Sequence, residues 1–432
     1  MPGYKQTTRL LAASIIGGPW ESGPLSRRIH HAISLKGLNS ERLALDLVHR
    51  FGEGRTPSVK ELASAIAANK HFEKCFMASE GQAEWLRMGV EPAQMNPPKG
   101  DLATLPLPAL ATSRDVCEWL EIDQPALEWF ADTRKRQPHV RDERLLHYTY
   151  LWKRRRGKSP RLIESPKGKL KKFQRKILSE ILNKIPPHEA AHGFARNRSI
   201  ITHALLHTEK ECVASFDLKD FFHAVPPARI ASLFRALGYP HEVSRILSGL
   251  CLHAPDAHYL GSPLTNLPFP VQKKILSPHL PQGAPTSPAL ANLCAFRLDV
   301  RLQSLAESLN LTYSRYADDL TFSGGKDLKK QFSYLRGTLS EIAAQQGFKL
   351  NPEKTRLMTQ AQRQVVTGVV VNKRPNISRA EYDRLKATLY QCAEGEEKDA
   401  LLKQSLRGKV EFVRTLNPQR GEKLLRLWEK IT

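Results

Sequence analysis

A chain of 432 residues, 41% of them hydrophobic, has the length for two or three units with ample buried core, which excludes a single small module. Sixty-six Lys and Arg against 43 Asp and Glu leave a net charge of +23, which favours a large polyanion as partner through release of counterions from its phosphates. The six cysteines, Cys75, Cys117, Cys212, Cys251, Cys294 and Cys392, contain no Cys-x-x-Cys pair, so neither a disulfide framework nor a zinc site is indicated.

The first hundred residues read as short helices. Leu10 to Trp20 lacks the apolar core and cleavage pattern of a signal peptide, and no apolar run approaches the roughly 18 residues that span a bilayer. A soluble, cytoplasmic protein with no membrane partner is expected. Ser58 with Glu61 forms a capping box that predicts a helix over Val59 to His71. Residues 1 to 104 carry 13 basic and 10 acidic side chains, so the polyanion site belongs to the remainder. Pro92, Pro97, Pro98, Pro106 and Pro108 then break any periodic pattern and mark a boundary.

Between Lys153 and Lys176 stand 12 Lys or Arg and one acid, Glu164. Like charges at that density repel unless something neutralises them, so the stretch is read as phosphate-binding. Leu170 to Leu182 places Phe173, Ile177, Ile181 and Leu182 at helical spacing, which packs one face and leaves Lys167, Lys169, Lys171 and Lys172 available. His203 and His207 lie four apart in a helical pattern without a third ligand or nearby acid, and read as lining RNA or core, not as a zinc site.

Cys212 to Phe216 reads as a strand ending at Asp217, and Leu311 to Tyr316 and Leu320 to Ser323 as two strands joined at Asp318-Asp319. Phosphoryl or nucleotidyl transfer uses two metal ions about 3.5 to 4 Å apart, and hard divalent ions need oxygen ligands. Asp217, the Leu218 carbonyl, Asp318 and Asp319 supply such a set. Mg²⁺, which keeps several waters, suits it, with Mn²⁺ as a substitute. An Asp-Asp turn alone is an ordinary hairpin connection, so the surrounding segments decide its meaning. The chain after Asn376 reads as helices, with Leu401, Leu402, Leu406, Val410, Phe412 and Val413 apolar among basic residues.

Those segments are specific. Ser215 to Phe222, Leu280-Pro281-Gln282-Gly283-Ala284-Pro285-Thr286-Ser287-Pro288, Tyr316 to Asp319, and Gly347 to Thr355 resemble successive reverse transcriptase motifs in the family's order. The resemblance runs from about Leu105 to the C-terminus. It implies an α+β right-hand polymerase: fingers and a ferredoxin-like palm over 101–375, a helical thumb over 376–432, and a helical N-terminal extension over 1–100. It implies Asp217, Asp318 and Asp319 as metal ligands, and Phe222 as the ring beneath the incoming sugar that excludes a 2′-hydroxyl. Gln282 and Gly283 would line the nucleotide pocket. Arg161 would clamp the triphosphate, with Lys153 or Arg154 as second cation. Lys354 would protonate the departing pyrophosphate.

Val366-Thr367-Gly368 matches a signature of retron reverse transcriptases, and the resemblance implies that these three residues bear on the RNA and primer; read alone the tripeptide is a strand with a kink. Ala190-Ala191-His192-Gly193-Phe194 and Arg198-Ser199-Ile200 are also typical of them. The retron hallmark Asn-Ala-x-x-His is absent as such, and His253 to His258 is the nearest segment. Retron resemblance implies that a structured noncoding RNA serves as template and primer. It also implies dNTP substrates, an RNA–DNA duplex, priming from a guanosine 2′-hydroxyl, and a role in anti-phage defence beside an accessory effector protein. The alternatives are a bacterial defence reverse transcriptase with different priming, or a catalytically idle RNA-binding scaffold.

Overall fold

The computed structural model describes residues 3–52, 56–80, 94–96, 100–155, 157–394 and 400–431. Pro92, Pro97 and Pro98 lie outside the described residues, and Pro106 and Pro108 lie in extended chain after a short 3-10 turn, Gly100–Leu102. Two compact units form: residues 1–186 with 225–294, and residues 187–224 with 295–432.

The first unit begins with five helices, Tyr4–Ile15, Ser22–Ala32, Ser40–Phe51, Val59–Ala67 and Lys70–Ala78. Their apolar stripes close on a core that includes Leu11, Ile15, Trp20, Leu25, Ile29, Leu47, Leu62, Ile66 and Phe72. The capping box forms as expected: Ser58 accepts from the Glu61 amide and Glu61 from the Ser58 amide. The helix expected over Val59 to His71 is two helices, because Asn69 turns its side chain to the Phe72 amide and starts a second one. Within the same unit, the Asn96 amide donates to the Gly238 carbonyl at 2.9 Å and its side chain accepts from the Trp20 amide.

The basic stretch is divided between two kinds of structure. A hairpin of β1 (Tyr148–Arg155) and β2 (Lys158–Pro166) carries its first half, and the helix Gly168–Glu180 its second. Alternation along β1 puts Tyr148, Tyr150 and Trp152 inward and Thr149, Leu151 and Lys153 outward. Phe173 and Ile177 pack inward from the helix, and Gln174 is buried, donating to the Tyr148 hydroxyl and the Leu250 carbonyl, both at 2.9 Å.

The second unit is built on an antiparallel sheet of β3 (Cys212–Asp217), β4 (Thr312–Tyr316), β5 (Asp319–Gly324) and β6 (Arg356–Thr359), in the order β4-β5-β3-β6. With the helix Phe296–Ser308 before β4 and Asp327–Gln345 between β5 and β6, the order is that of a split βαβ, ferredoxin-like sheet. β3 is central and buried, as its run Cys-Val-Ala-Ser-Phe requires. A hairpin of β7 (Val365–Val366) and β8 (Val369–Val370) shares a core with Val213, Met358 and Ala204. Three helices, Arg379–Glu394, Ala400–Leu416 and Pro418–Trp428, close around Leu389, Leu406, Val410, Val413 and Leu424. Leu401, Leu402 and Phe412 are exposed.

His203 and His207 belong to the core and not to an RNA-facing surface: both are fully buried. His207 bridges the hydroxyls of Ser323 and Ser314, each at 2.7 Å, and so ties β5 to β4. Burial holds its imidazole neutral, well below the usual histidine range. No described helix is long and apolar enough to cross a membrane.

Candidate active site

The antiparallel register does the first part of the assembly. Asp217, the last residue of β3, stands directly opposite Asp319, the first residue of β5, and Asp319 in turn opposes Tyr316. The turn between β4 and β5 is therefore Ala317-Asp318, not Asp318-Asp319; Asp319 already belongs to the strand. Sequence reading placed the turn one residue late because Ala317 takes φ +55, a left-handed conformation that residue type alone does not announce. The Leu218 amide donates to the Asp318 carbonyl at 2.8 Å, which ties the turn to the end of β3.

Asp217 is 3% exposed, accepts from Asn351 Nδ2 at 3.2 Å, and pairs with the Lys354 ammonium. Lys354 and Asn351 arrive together because the 3-10 turn Pro352–Lys354 follows a bridge between Leu218 and Leu350. That bridge is made by the Lys219 amide to the Lys349 carbonyl and the Asn351 amide to the Asp217 carbonyl, leaving the Leu218 carbonyl outside its two bonds. Asp318 and Asp319 are half-buried. Burial first, then the charges of Asp318 and Asp217, push the Asp319 carboxyl up to about 6, against the opposing pull of Lys354. Such a set of mutually repelling oxygen donors fits a hard divalent cation.

Behind the turn lies an arrangement that residue spacing did not reveal. Arg315 and Asp299 form a fully buried two-pronged ion pair, at 2.7 Å and 2.6 Å, and the Tyr313 hydroxyl donates to the same carboxylate. The third guanidinium nitrogen of Arg315, Nη1, donates to the Ala317 carbonyl at 3.0 Å, so the pair grips the strained residue of the turn. On the edge of β4, Ala190 to His192 run beside Arg315 through two 2.7 Å backbone bonds. Gly193 follows, and a Cβ there would stand 2.5 Å from the Ala317 nitrogen. The Ala190–Phe194 segment thus acts as a brace whose glycine is required by close approach.

Phe221 and Phe222 do not alternate on a strand, since Asp220 at φ +54 turns the chain. Phe221 is buried, stacked on Phe348 with 5.7 Å between ring centroids. Phe222 is half-buried beside Phe194, with 6.1 Å between centroids, and Phe194 is 49% exposed. Besides its neighbour Phe221, at 5.7 Å between centroids, Phe222 thus has an aromatic partner in Phe194, 28 positions earlier in the chain, which residue spacing alone had not paired with it.

In the first unit, Arg161 on β2 is the direct cross-strand partner of Lys153 on β1, and both are exposed. Cross-strand partners share a face, so Lys153 lies on the same face of the hairpin as Arg161. The Gln282 carbonyl accepts from the Glu164 amide at 2.9 Å, and a Cβ on Gly283, at φ +137, would meet the Glu164 carbonyl at 2.7 Å. Glu164 itself is buried and paired with His279 at 2.8 Å. Lys169 and Lys172 are exposed, whereas Lys171 is half-buried and Lys167 reaches back to the Glu143 carbonyl. Val366-Thr367-Gly368 is the end of a hairpin strand and its two-residue turn, with φ +47 at Thr367 and +84 at Gly368.

A split βαβ sheet with acidic residues at the end of its central strand and in the neighbouring turn suits a template-copying nucleotidyltransferase. A family model described as reverse transcriptase (RNA-dependent DNA polymerase) matches residues 153–374. The chain belongs to the reverse transcriptase family, on its retron branch, and is an RNA-directed DNA polymerase. It is similar to the Retron Mx65 reverse transcriptase of Myxococcus xanthus, 37% identical over 76% of this chain and 74% of that protein. The Retron Mx162 reverse transcriptase of the same organism is 35% identical over 74% and 67%, respectively. The Retron Ec86 reverse transcriptase of Escherichia coli is 30% identical over 63% and 77%.

Proposed function

We propose that this polymerase copies part of a structured noncoding RNA into DNA that remains joined to the RNA through a guanosine 2′-hydroxyl, and that it acts in the cytoplasm in anti-phage defence beside an effector protein. The observation that carries the chemistry is the register Asp217 opposite Asp319, with Asp318 in the adjoining turn. In this reading the ferredoxin-like sheet is the palm, the hairpin β1–β2 and its helix belong to the fingers, the three C-terminal helices are the thumb, and residues 1–100 are an extension.

In each cycle the primer hydroxyl oxygen bonds to the α-phosphorus of a dNTP, the bond to pyrophosphate breaks, and the hydroxyl loses its proton. Two divalent ions, Mg²⁺ or Mn²⁺ in its place, would be held by Asp217, the Leu218 carbonyl, Asp318 and Asp319, and supply activation of the attacking oxygen and charge neutralisation at the leaving group. Arg161 and Lys153 grip the triphosphate: two like charges facing each other across a strand pair repel until an anion joins them. Gln282 and Gly283 shape the pocket. Lys354, now resting on Asp217, is positioned to give a proton to the departing pyrophosphate.

The test is the DNA that co-purifies with the protein. A single species whose 5′ end carries RNA, released by an enzyme specific for 2′-5′ branches, is the expected product. A free DNA 5′ end overturns branched priming. Two further outcomes follow from the same reading. Phe222→Ala opens the space beneath the sugar, so the ratio of ribo- to deoxynucleotide incorporation rises roughly 30- to 150-fold, the equivalent of about 2 to 3 kcal/mol. Steady-state incorporation opposite a defined RNA template measures it, and a shift with Phe221→Ala instead would move the gate to the buried ring. Converting Lys169 and Lys172 to Glu flattens the plot of log RNA affinity against log salt by roughly 1.5 units, since about 0.7 to 0.9 of an ion is released per phosphate contact. An unchanged slope removes this helix from the RNA interface.

A further inference from the structure

The turn between β7 and β8 breaks a local rule. Two-residue hairpin turns with positive φ at both central positions favour Asn-Gly, and a β-branched residue at the first of them is an outlier. Thr367 occupies that position at φ +47, followed by Gly368 at φ +84. What holds it there is its hydroxyl, which shares a 2.8 Å hydrogen bond with Nδ1 of His203.

His203 sits on the helix Ile200–Leu205, fully buried, in a row of three imidazoles. His192 lies 5.7 Å from it and His207 5.5 Å, between ring centroids. Each flanking ring is fixed by hydroxyls, His192 by Thr202 at 2.8 Å and His207 by Ser314 and Ser323. The His203 ring also lies 5.9 Å from that of Tyr316. Tyr316 is the residue from which the Ala317-Asp318 turn departs. One fully buried side chain therefore bonds the tip of one hairpin and packs beside the base of another.

We propose that His203 is a positioning residue for nucleotidyl transfer: it fixes the spacing between the Thr367-Gly368 turn and the Ala317-Asp318 turn, so that a primer end resting on the first is held at reacting distance from the carboxylates on the second. The strained Thr367 is retained for its hydroxyl, which an Asn-Gly or Gly-Gly turn would not present at this point. The inference rests on the reading above that Val366–Gly368 bears on the primer and Asp318 on the chemistry.

The test compares Thr367→Val, Thr367→Gly, His203→Leu, His203→Asn and the double variant Thr367→Val/His203→Leu in extension of a DNA primer on an RNA template. Rate, KM for dNTP, primer–template affinity and thermal midpoint are read on each. Thr367→Val and His203→Leu each slow extension about 10- to 100-fold, the cost of a misplaced reactant, while KM and affinity stay within about threefold. The double variant is no slower than either single one, because both remove the same interaction. Thr367→Gly relieves the backbone and removes the hydroxyl together, so it unfolds no earlier than Thr367→Val yet is as slow. His203→Asn, which keeps a nitrogen near the Nδ1 position, recovers most of the rate.

A parental rate in Thr367→Val or Thr367→Gly overturns the proposal, as do losses that multiply in the double variant or a rise in KM with rate unchanged. If His203→Leu does not fold, the two Thr367 variants decide alone. Asp318→Asn in the same assay separates the two levels of inference. If it extends primers, the carboxylate assignment has failed; if it is silent while the Thr367 variants match the parent, this inference alone has failed.

Discussion

Asp318→Asn is expected to reduce primer extension by roughly 10³-fold or more while leaving RNA affinity unchanged. The substitution removes one charge and one of the oxygen ligands proposed for the metal ions, and loss of several kcal/mol of charge stabilisation corresponds to that factor at about 1.4 kcal/mol per tenfold. It does not disturb the fold. Asn is tolerated in tight turns as well as Asp, and the bond from the Leu218 amide is to the Asp318 backbone carbonyl, which the substitution leaves in place. The exposed Lys169 and Lys172 are untouched, so the electrostatic part of RNA binding proposed for them persists. Asp217→Asn should act alike and in addition deprive Lys354 of its ion-pair partner. Extension and RNA affinity measured on one preparation decide the matter: a rate within about threefold of the parent in either variant rules out the two-metal assignment.

The parts of this site that are local in sequence were legible before the fold was known. An apolar run ending in Asp217 and a pair of short runs flanking Asp318 announce three strands, and they are β3, β4 and β5. What failed were the points at which a single backbone torsion decides. Ala317 at φ +55 moved the turn forward by one residue, Asp220 at φ +54 turns the chain before Phe221 and Phe222, and Thr367 at φ +47 turned an expected kinked strand into a hairpin tip. None of these residues is a glycine, the type that advertises positive φ most strongly. Contacts between distant segments were equally silent. Gly193 stands in a motif without any sign that its missing Cβ makes room for Ala317, and Asp299 and Arg315 follow no spacing that pairs them. The basic run, read as one phosphate-binding stretch, is shared by a hairpin and a helix because the Gly157 turn and Pro166 interrupt it.

That silent ion pair carries the second large effect. Asp299→Ala is expected to destabilise the protein by about 3 to 5 kcal/mol, because it leaves the Arg315 guanidinium buried without its counter-charge. Both partners have no exposed surface, so water cannot take over, and the Tyr313 hydroxyl loses its acceptor in the same step. The apparent midpoint of thermal unfolding should fall by roughly 10 °C. Replacing both charges at once, as Asp299→Leu with Arg315→Met, removes the uncompensated charge, and apolar side chains of similar volume in place of a buried pair are often neutral. Stability should then return, but activity should not. Arg315 also holds the Ala317 carbonyl, and without that donor the left-handed turn that presents Asp318 is free to relax away from the β3 end. Extension by the double variant should remain about 10- to 100-fold slow. A double variant as fast as the parent would show that the turn keeps its shape unaided, and a single variant that melts with the parent would show that the pair contributes nothing to the folded state.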